Sequence, residues 1–415
     1  MNASATARPA PLSGIRVIDL GRVIAGPYAG QMLADYGAEV IKVERRGIGD
    51  DSRHMTAGCL LDRQGSKILT ETSMVLLGNR NKKSISVDLA KPEGQKLVQR
   101  LAAVSDVFIE NFTPGTAAKL NVGYDTLAAL NPRLVYCSVS GWGQTGPNRL
   151  RAGFDAALQA ATGFMSVTGQ PDGTPGAGPV RVGASVIDFA SGMNAAFAIL
   201  LALRQRELTG EGQYIDVSLF DSGIALQGEN VQKHLLNGDL VGRHGSENYG
   251  GAPARIFKAS DGEVFIIAGT DSLFPALCRA LDCTDLLEDA RFTSGAMQRF
   301  VNREALHARL MPLFARYTRA ELMELLDRAG VPVAPVNNYQ QLFADAHTEA
   351  RGSAVHVEHP QSDRLNLIAS PIKMSKAPAR YDRPPFLGEH TDAVLQDVLG
   401  MPAAELETLK KNGVV

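Results

Sequence analysis

An aspartate between apolar neighbours is the first candidate for chemistry in this chain. Asp188 follows Val186 and Ile187 and precedes Phe189 in the segment VIDFASG. Those flanks predict a partly buried carboxylate, and a carboxylate in such a site can act as a covalent nucleophile. Aspartate is also a favoured N-cap residue, and a long helical pattern begins here. Residue type and position alone favour the cap, so a nucleophile needs support from elsewhere.

Two further segments have residue types that could hold phosphate groups. GRVIAGP, residues 21–27, stands between a predicted strand and a predicted helix, where doubly wound sheets bind phosphates. NRNKKS, residues 79–84, brings Arg80, Lys82 and Lys83 together just before another strand. The turn at 21–27 is not GxGxxG, and GxxxxGKS/T occurs nowhere, which disfavours a standard dinucleotide or P-loop site. An ordinary turn and a solvated strand start remain open as alternatives.

Two loops complete the set of candidates. GWGQTGP, residues 141–147, carries the single tryptophan, Trp142. It is either a glycine-rich surface loop or a backbone that approaches a flat or acyl ligand. PPFLGEHT, residues 384–391, predicts the start of a helix at which His390 has a capping role.

The elements that position these segments alternate between strand and helix. Apolar runs predict strands at 15–20, 40–43, 84–88, 106–110 and 134–140, and helical patterns lie between them at 27–36, 92–104 and 124–131. A strand, helix and strand within about 30 residues form a βαβ unit with parallel strands. The repeated unit predicts a doubly wound α/β domain.

The sequence predicts a large domain that the chain leaves and re-enters. We expect a flexible tail at 1–13, a first part of the large domain at 14–225, a small domain at 226–330, and a return at 331–415. A long helix at 188–207, ended by Gly210, closes the first part. The stretch VPVAPV, residues 331–336, is predicted to be the linker back.

Composition excludes several classes of function. The 415 residues are 45% hydrophobic with a net charge of −2, which disfavours disorder and a phosphate-dependent nucleic-acid partner. The four cysteines have no CxxC spacing, so neither a disulfide framework nor a zinc site is expected. A reducing cytoplasm is therefore the predicted compartment. The longest apolar run, residues 195–203, is shorter than a membrane span of roughly 20 residues, so no membrane is expected.

Taken in order, these segments resemble the class III CoA-transferase family. The similarity is carried by GIRVIDLGRVIAGPYAGQMLADYGAEVIKVE, GDDSR, NRNKKSISVDL, IENFTPG, YCSVSGWGQTGP, VIDFASG and PPFLGEHT. It runs from about residue 12 to the C-terminus and is weaker between 241 and 330. The family includes formyl-CoA:oxalate, carnitine, benzylsuccinate, citramalate and glutarate CoA-transferases and α-methylacyl-CoA racemases.

The resemblance implies a fold and a mechanism. The fold is an interlocked homodimer, each protomer with a Rossmann-like large domain built from both chain ends and an inserted smaller α/β domain. Acyl-CoA and a carboxylic acid are the substrates, and no cofactor is permanently bound. Asp188 matches the family nucleophile, which attacks the thioester to form a mixed anhydride and then an aspartyl-CoA thioester that passes CoA to the acceptor.

Residues that match the family motifs carry over as CoA contacts. The resemblance assigns the turn residues Val23, Ile24 and Ala25 to the nucleotide and pantetheine, and Arg45 to adenine stacking or a phosphate. The remaining matches lie in the NxNK and ENFTPGTAAK segments: Asn79, Asn81, Asn111, Phe112 and Lys119.

Departures from the family pattern argue against two of the family's activities. Ile24 stands where formyl-CoA transferases have glutamine, and Gly250–Gly251 replaces their long glycine run, so oxalate is a doubtful acceptor. Racemases need a histidine in an AGHD-like segment, which here is AGFD with Phe154. Phenylalanine cannot carry a proton to or from an α-carbon, so the segment favours a transferase.

The resemblance is strongest to the succinyl-CoA-dependent glutarate branch, through RVIAGP, NRNKKSI, RAGFDA and the final GVV. It implies a C4–C6 dicarboxylic acceptor and succinyl-CoA as donor, with Arg22, Arg243 and His244 as candidate partners of the distal carboxylate. An isomerase, either a racemase or an intramolecular CoA transferase, remains the alternative. A non-catalytic CoA-binding or structural protein is a third possibility, and the presence of Asp188 in its motif argues against it.

Overall fold

The strands and helices below lie in residues 9–55 and 58–415, the part of the chain that the computed structural model describes. The strands are β1 (Arg16–Asp19), β2 (Glu39–Arg45), β3 (Cys59–Leu61), β4 (Lys67–Thr72), β5 (Lys82–Val87), β6 (Val107–Glu110), β7 (Val135–Ser140), β8 (Gly169–Gln170), β9 (Gly178–Pro179), β10 (Tyr214–Ser218), β11 (Ala254–Ala259), β12 (Gly262–Ile267), β13 (Val333–Pro335), β14 (Ala354–His356) and β15 (Asn366–Ile368).

The α-helices are α1 (Ala25–Asp35), α2 (Ser73–Gly78), α3 (Pro92–Ala103), α4 (Thr116–Lys119), α5 (Tyr124–Leu130), α6 (Asp155–Ala161), α7 (Val186–Thr209), α8 (Leu219–Ala225), α9 (Gly228–Asn237), α10 (Leu273–Ala280), α11 (Ala290–Thr293), α12 (Ala296–Val301), α13 (Arg303–Phe314), α14 (Arg319–Arg328), α15 (Tyr339–Phe343), α16 (Ala346–Ala350), α17 (Thr391–Leu399) and α18 (Ala403–Lys411).

A parallel six-stranded sheet organises the larger part of the chain. Its strand order is β10-β7-β6-β1-β2-β5, and every neighbouring pair is parallel. The chain runs outward from β1 through β2 and β5 on one side and through β6, β7 and β10 on the other. The order therefore reverses between β1 and β6, and ligands of such sheets bind beyond the carboxyl ends of the strands at that point. The α/β class predicted from the sequence is confirmed.

Helices cover both faces of this sheet, because its strands are apolar on both sides. Helices α1 and α7 pack on one face over core residues such as Val17, Ile109 and Ile199. Helices α3, α5, α17 and α18 pack on the other face, where Leu101 and Leu395 belong to one core cluster. Residues from both ends of the chain thus complete one hydrophobic core, as predicted.

The chain divides into two compact units. Of the described residues, the large unit comprises 9–55, 58–164, 182–239 and 350–415, and the small unit comprises 165–181 and 240–349. The small unit contains the antiparallel sheet β11-β12-β13 and its own core, which includes Phe257, Phe274 and Leu306.

These boundaries differ from the predicted segments 14–225, 226–330 and 331–415. Residues 226–239 stay in the large unit, where α9 follows α8, and residues 165–181 join the small unit with the hairpin β8–β9. The predicted linker at 331–336 was wrong, because Val333–Pro335 forms strand β13 and pairs with β12. Proline is tolerated there since β13 is an edge strand.

The predicted flexible tail at 1–13 lies mostly outside the described residues. Its last part is folded: the backbone N–H of Leu12 donates to the Tyr36 carbonyl at 3.0 Å, and the Leu12 side chain packs against the core. The large unit therefore begins before residue 14.

Helix α7 crosses the large unit and carries Asp188. It begins two residues earlier than predicted, with Ser185 as N-cap, so Asp188 is the third residue of its first turn and not its cap. Gly210 ends it in a left-handed conformation, as predicted. By length and composition α7 could cross a membrane, but half of its most apolar stretch is buried, as in the core helix of a folded domain.

Candidate active site

The turn between β1 and α1 is tightly built. A Cβ atom on Gly21 would lie 2.9 Å from the Gly26 Cα and the Pro27 Cδ atoms, so only glycine fits at this position. Val23 adopts a positive φ of 62°, and its N–H donates to the Asp50 carboxylate at 3.1 Å. The turn is therefore held in one shape by contacts outside itself.

Two buried lysines hold this turn through hydrogen bonds to its backbone. The Lys82 ammonium donates to the Asp19 carboxylate and to the Pro27 carbonyl, both at 2.7 Å. The Lys42 ammonium donates to the Gly21 carbonyl and, at 2.8 Å, to Asp50. All four charged side chains are almost fully buried. The three cations of NRNKKS that were predicted to hold phosphates all pair with carboxylates of the protein itself: Arg80 with Asp35, Lys82 with Asp19 and Lys83 with Glu39.

Burial and pairing shift the ionisation of this network. Burial lowers the pKa of Lys82 to about 8, although the Asp19 charge opposes the change. Burial acts in the same direction on Lys42, but Asp50, Asp19 and Glu44 outweigh it and raise that pKa. Burial would raise the pKa of Asp50, but the Lys42 charge outweighs burial and holds that pKa well below its usual range. The Lys42–Asp50 pair therefore stays charged at neutral pH.

Close packing of α1 on α7 brings the turn next to Asp188. A Cβ atom on Gly192, one turn beyond Asp188, would lie only 2.8 Å from the Ala25 carbonyl oxygen. The rings of Tyr28 and Phe189 meet edge to face with centroids 5.0 Å apart. The start of α1 therefore packs against the first two turns of α7, the helix that carries Asp188.

Asp188 itself is half-buried, as its apolar neighbours predicted. Burial raises the pKa of its carboxyl to about 7, and the negative charge of Asp155 adds to the effect. The Asp155 carboxylate accepts the backbone N–H groups of Ile187 and Asp188 at 2.8 and 3.3 Å. The group is thus a weak acid at the start of a helix, with its charge change near neutral pH.

This raised pKa makes a prediction for stability. The folded protein holds the Asp188 proton between about pH 4 and pH 7, so the wild type loses stability as pH rises through that window. Asp188→Asn removes the loss, and we expect it to raise the melting temperature relative to wild type at pH 8 but not at pH 4. The gain is at most a few kcal/mol. Equal differences in thermal melts at both pH values would contradict the raised pKa.

A cleft of about 190 Å³ opens beyond the carboxyl ends of β1, β2 and β5. Its wall includes Arg45, Phe112 and the segment 87–90. The Arg22 guanidinium lies 5.0 Å from the Phe112 ring centroid. The Asn111 amide oxygen accepts the Arg22 N–H at 2.7 Å, and its nitrogen donates to the Arg22 carbonyl at 2.8 Å. Apolar surface, an aromatic ring and two arginines suit a flat base with attached phosphates.

The structure brings most of the predicted CoA contacts together. Val23, Arg45, Asn111 and Phe112 lie at the turn or in this cleft, the side chains of Ile24 and Ala25 are buried beneath the turn, and Lys119 is exposed beside Leu120 of the cleft wall. This grouping follows from the sheet, because the carboxyl ends of parallel strands meet at one edge.

Asn79 and Asn81 lie elsewhere. The buried Asn79 amide accepts from Lys82 at 3.1 Å and donates to the Val75 carbonyl. The Asn81 amide bonds to Asp35 and to the backbone of Arg380 and Asp382, in a pocket at the amino end of β5. Both side chains bond to the protein's own segments, and their predicted contact with CoA stays a prediction.

The remaining sequence candidates have mixed outcomes. The Trp142 ring stacks on Phe220 at 5.3 Å, and its indole N–H donates to the Ala152 carbonyl at 3.2 Å. The loop 141–147 thus lies beside Phe154, which is 76% exposed. His390 is the N-cap residue of α17, which confirms the predicted start of a helix. Within the described chain its ring makes no capping bond, and its Nδ1 accepts the N–H of Ser84 at 3.3 Å.

Two candidates for the acceptor's distal carboxylate belong to the small unit. The Arg243 guanidinium is paired with Asp172 and donates to the Gln170 carbonyl at 3.1 Å. The His244 ring packs against Tyr249 at 5.4 Å, and burial lowers its pKa. Within residues 9–55 and 58–415, no group of three or more His, Cys, Asp or Glu residues is arranged to hold a metal ion.

Sequence reasoning missed Asp155 and the role of Lys82. Asp155 was noted only as the last letter of AGFD, although its spacing of four residues from Gln159 on one helix is a weak signal of a polar pair. The partner of Lys82, Asp19, is 63 residues away, and no local pattern could have indicated it.

Comparisons with known proteins agree with this architecture. The family model of CoA-transferase family III matches residues 12–391. The chain is 36% identical to the succinyl-CoA:glutarate CoA-transferase of Mus musculus over 98% of its length and 90% of that protein. It is 38% identical to the succinate–glutarate CoA-transferase of Agrobacterium fabrum, over 97% of this chain and 98% of that protein.

A solved structure extends the agreement to three dimensions. A CAIB/BAIF family protein from Brucella suis superposes with a TM-score of 0.83 at 37% identity, covering 94% of this chain and all of that one. The parallel sheet, the turn after β1 and the buried start of α7 therefore lie in a known architecture. On the match of sequence, length and fold, the chain belongs to CoA-transferase family III and is a CoA-transferase.

Proposed function

We propose that the protein transfers CoA from succinyl-CoA to a free dicarboxylic acid of four to six carbons. The observation that carries this proposal is the full-length similarity to relatives whose names specify succinyl-CoA or succinate and glutarate. Acyl-CoA is then a substrate and not a bound cofactor. Of the three candidate partners of the distal carboxylate, Arg22 is the one in the large unit, in the turn after β1.

In the proposed mechanism Asp188 is the nucleophile. Its carboxylate oxygen attacks the thioester carbon, the C–S bond breaks, and CoA leaves as a thiolate beside a mixed anhydride. The thiolate attacks the aspartyl carbon of the anhydride, which releases the donor carboxylate and leaves an aspartyl-CoA thioester. The acceptor carboxylate repeats the two steps in reverse, so its acyl-CoA leaves and Asp188 is regenerated. No net proton or electron is consumed.

The environment of Asp188 supports this role. A carboxylate with a raised pKa is a stronger nucleophile than an exposed one, and a pKa of about 7 leaves a substantial ionised fraction at neutral pH. The anhydride would be lost to hydrolysis in open water, so a half-buried position is an advantage. Phe154 offers no proton-transfer group in place of the racemase histidine, which favours transfer over isomerisation.

Arg45 is proposed to bind the nucleotide of CoA, and we expect Arg45→Ala to raise KM without lowering kcat. The guanidinium is remote from the thioester, so it stabilises ground and transition states equally. A charged hydrogen bond of this kind contributes about 1.5–3 kcal/mol, or ten- to a hundredfold in KM for the acyl-CoA.

Arg46→Ala is the matched control for this prediction. Arg46 is the next residue and is also exposed, but its guanidinium donates to the Val415 carbonyl at 2.9 Å. Steady-state kinetics with varied acyl-CoA should show a changed KM for Arg45→Ala only. An unchanged KM in the Arg45 variant would remove that residue from the site.

The proposed activity is tested by mass spectrometry of products. Purified enzyme is incubated with succinyl-CoA and glutarate, adipate or pentanoate, the last a monocarboxylic control of the same chain length as glutarate. We expect acyl-CoA of the added dicarboxylate, formed only when that acid is present. Preference for pentanoate would contradict a dicarboxylate acceptor. Enzyme-dependent deuterium uptake at the α-carbon of a 2-methylacyl-CoA would favour the isomerase instead.

We also propose that the protein is an interlocked homodimer in the cytoplasm. Helix α7 has exposed apolar side chains, including Phe197, Leu201 and Leu208, and a second copy of the chain would cover them. Sedimentation of the purified protein should give a mass of about twice 44.3 kDa. A monomer at micromolar concentration would contradict the dimer, whereas the location stays a prediction from cysteine usage.

A further inference from the structure

Helix α7 does not cap its own first turn. Among the described residues, the side chain of its N-cap Ser185 makes no capping hydrogen bond. The N–H groups of the second and third residues, Ile187 and Asp188, are those that a cap normally serves. Both donate instead to one oxygen of Asp155, at 2.8 and 3.3 Å, from the start of α6.

Asp155 is in turn held firmly. Its side chain is part of a residue only 7% exposed, and its other oxygen accepts from the Gln159 amide at 2.6 Å. The Gln159 oxygen accepts the Val182 N–H at 2.9 Å, and its amide also donates to the Ala184 carbonyl at 3.4 Å. Asp155 and Gln159 therefore link α6 to the segment that leads into α7.

From this geometry we infer that Asp155 is a positioning residue for the nucleophile. It caps α7 from a neighbouring helix, orients Asp188 and places a negative charge close to the Asp188 carboxyl. The inference rests on the proposed role of Asp188 and deepens it. It names a second carboxylate, 33 residues earlier in the chain, on which the reactivity of the first depends.

Among the described residues, Asp155 supplies the charge that acts on Asp188. The elements packed on α7 are α1, α6, α8, β7 and β10, and of these α1, α6 and α8 contact its first two turns. Three titratable residues of these helices face this turn: Tyr28, Asp155 and Asp221. The Tyr28 ring contacts Phe189, and the Asp221 carboxylate accepts from the Ser218 hydroxyl. Of these, Asp155 is the group whose charge, with burial, raises the pKa of Asp188. Removing that charge favours ionised Asp188 at lower pH.

Asp155→Asn tests the inference, because asparagine keeps the size and one acceptor oxygen but loses the charge. We expect the acid limb of the kcat–pH profile, where the rate falls as pH falls, to move down by about one pH unit or more. A purely structural role for Asp155 would lower kcat at all pH values and leave the limb in place. That result would overturn the inference.

Asp155→Glu provides a second variant should the asparagine variant not fold. It retains the charge but displaces it by one methylene. We therefore expect a lower plateau of kcat, while the acid limb stays at a higher pH than in Asp155→Asn. A limb at the wild-type position with a wild-type plateau would overturn the positioning role. If Asp188→Asn retains transfer, the proposed mechanism fails and this inference fails with it. If that variant is inactive and Asp155→Asn leaves the limb unmoved, only this inference fails.

Discussion

Replacing Asp188 by alanine or asparagine is expected to lower CoA transfer by at least about a thousandfold, the size of effect seen when a covalent nucleophile is removed. The fold should survive the change, because Asp155 and not Asp188 caps the first turn of α7. Initial rates with succinyl-CoA and the best acceptor measure the loss. A variant that keeps substantial turnover would leave Asp188 a structural residue.

A trapping experiment makes the same prediction sharper. Wild-type enzyme incubated with succinyl-CoA, without an acceptor, should gain the mass of CoA less one water on the peptide that contains Asp188. The adduct should disappear when the acceptor acid is added, and it should not form on either Asp188 variant. Asp125→Asn is the matched control, since Asp125 is an exposed carboxylate in the first turn of α5. An adduct on any other peptide would assign the nucleophile elsewhere.

The second large effect is expected on stability. Lys82→Met leaves the Asp19 carboxylate buried without its cation and removes the bond to the Pro27 carbonyl that holds the turn. Breaking a buried pair from one side costs about 3–5 kcal/mol. We expect a clear fall in the melting temperature of the large unit, together with weaker binding of CoA.

The neighbouring lysine provides the control for this second prediction. Lys83 pairs with Glu39 at 2.7 Å, but both side chains are partly exposed, so Lys83→Met should cost less than about 1 kcal/mol. The double variant Lys82→Met with Asp19→Asn should recover part of the loss, because no unpaired charge remains. Equal melting temperatures for the two single lysine variants would show that the buried pair does not hold the turn.

Local patterns in the sequence were sufficient for the sheet and for the partial burial of Asp188, whereas its role as candidate nucleophile came from the family resemblance. Apolar runs separated by helical patterns predicted β1, β2, β5, β6 and β7, because each strand buries neighbouring residues on both faces. The apolar flanks of Asp188 predicted its partial burial for the same reason. The GRVIAGP turn was located by its place between a strand and a helix, a relation that adjacent residues define.

Chain organisation was harder to predict, because the signals conflict locally. VPVAPV has prolines typical of a linker, yet its valines complete the small unit's sheet as β13 once β12 offers an edge. The small unit's limits at 240 and 349 follow from which core each segment contacts.

The sequence by itself determined the family, the parallel sheet and the identity of the candidate nucleophile, because these depend on residues adjacent in the chain. Only the tertiary structure decided how the site is held. Asp155 reaches the α7 backbone across 32 residues, and Lys82 reaches Asp19 across 63. The Asn79 and Asn81 amides turn to internal partners instead of the cleft. Such pairings depend on which side chains packing brings within hydrogen-bond distance, and this information exists only once the chain is folded.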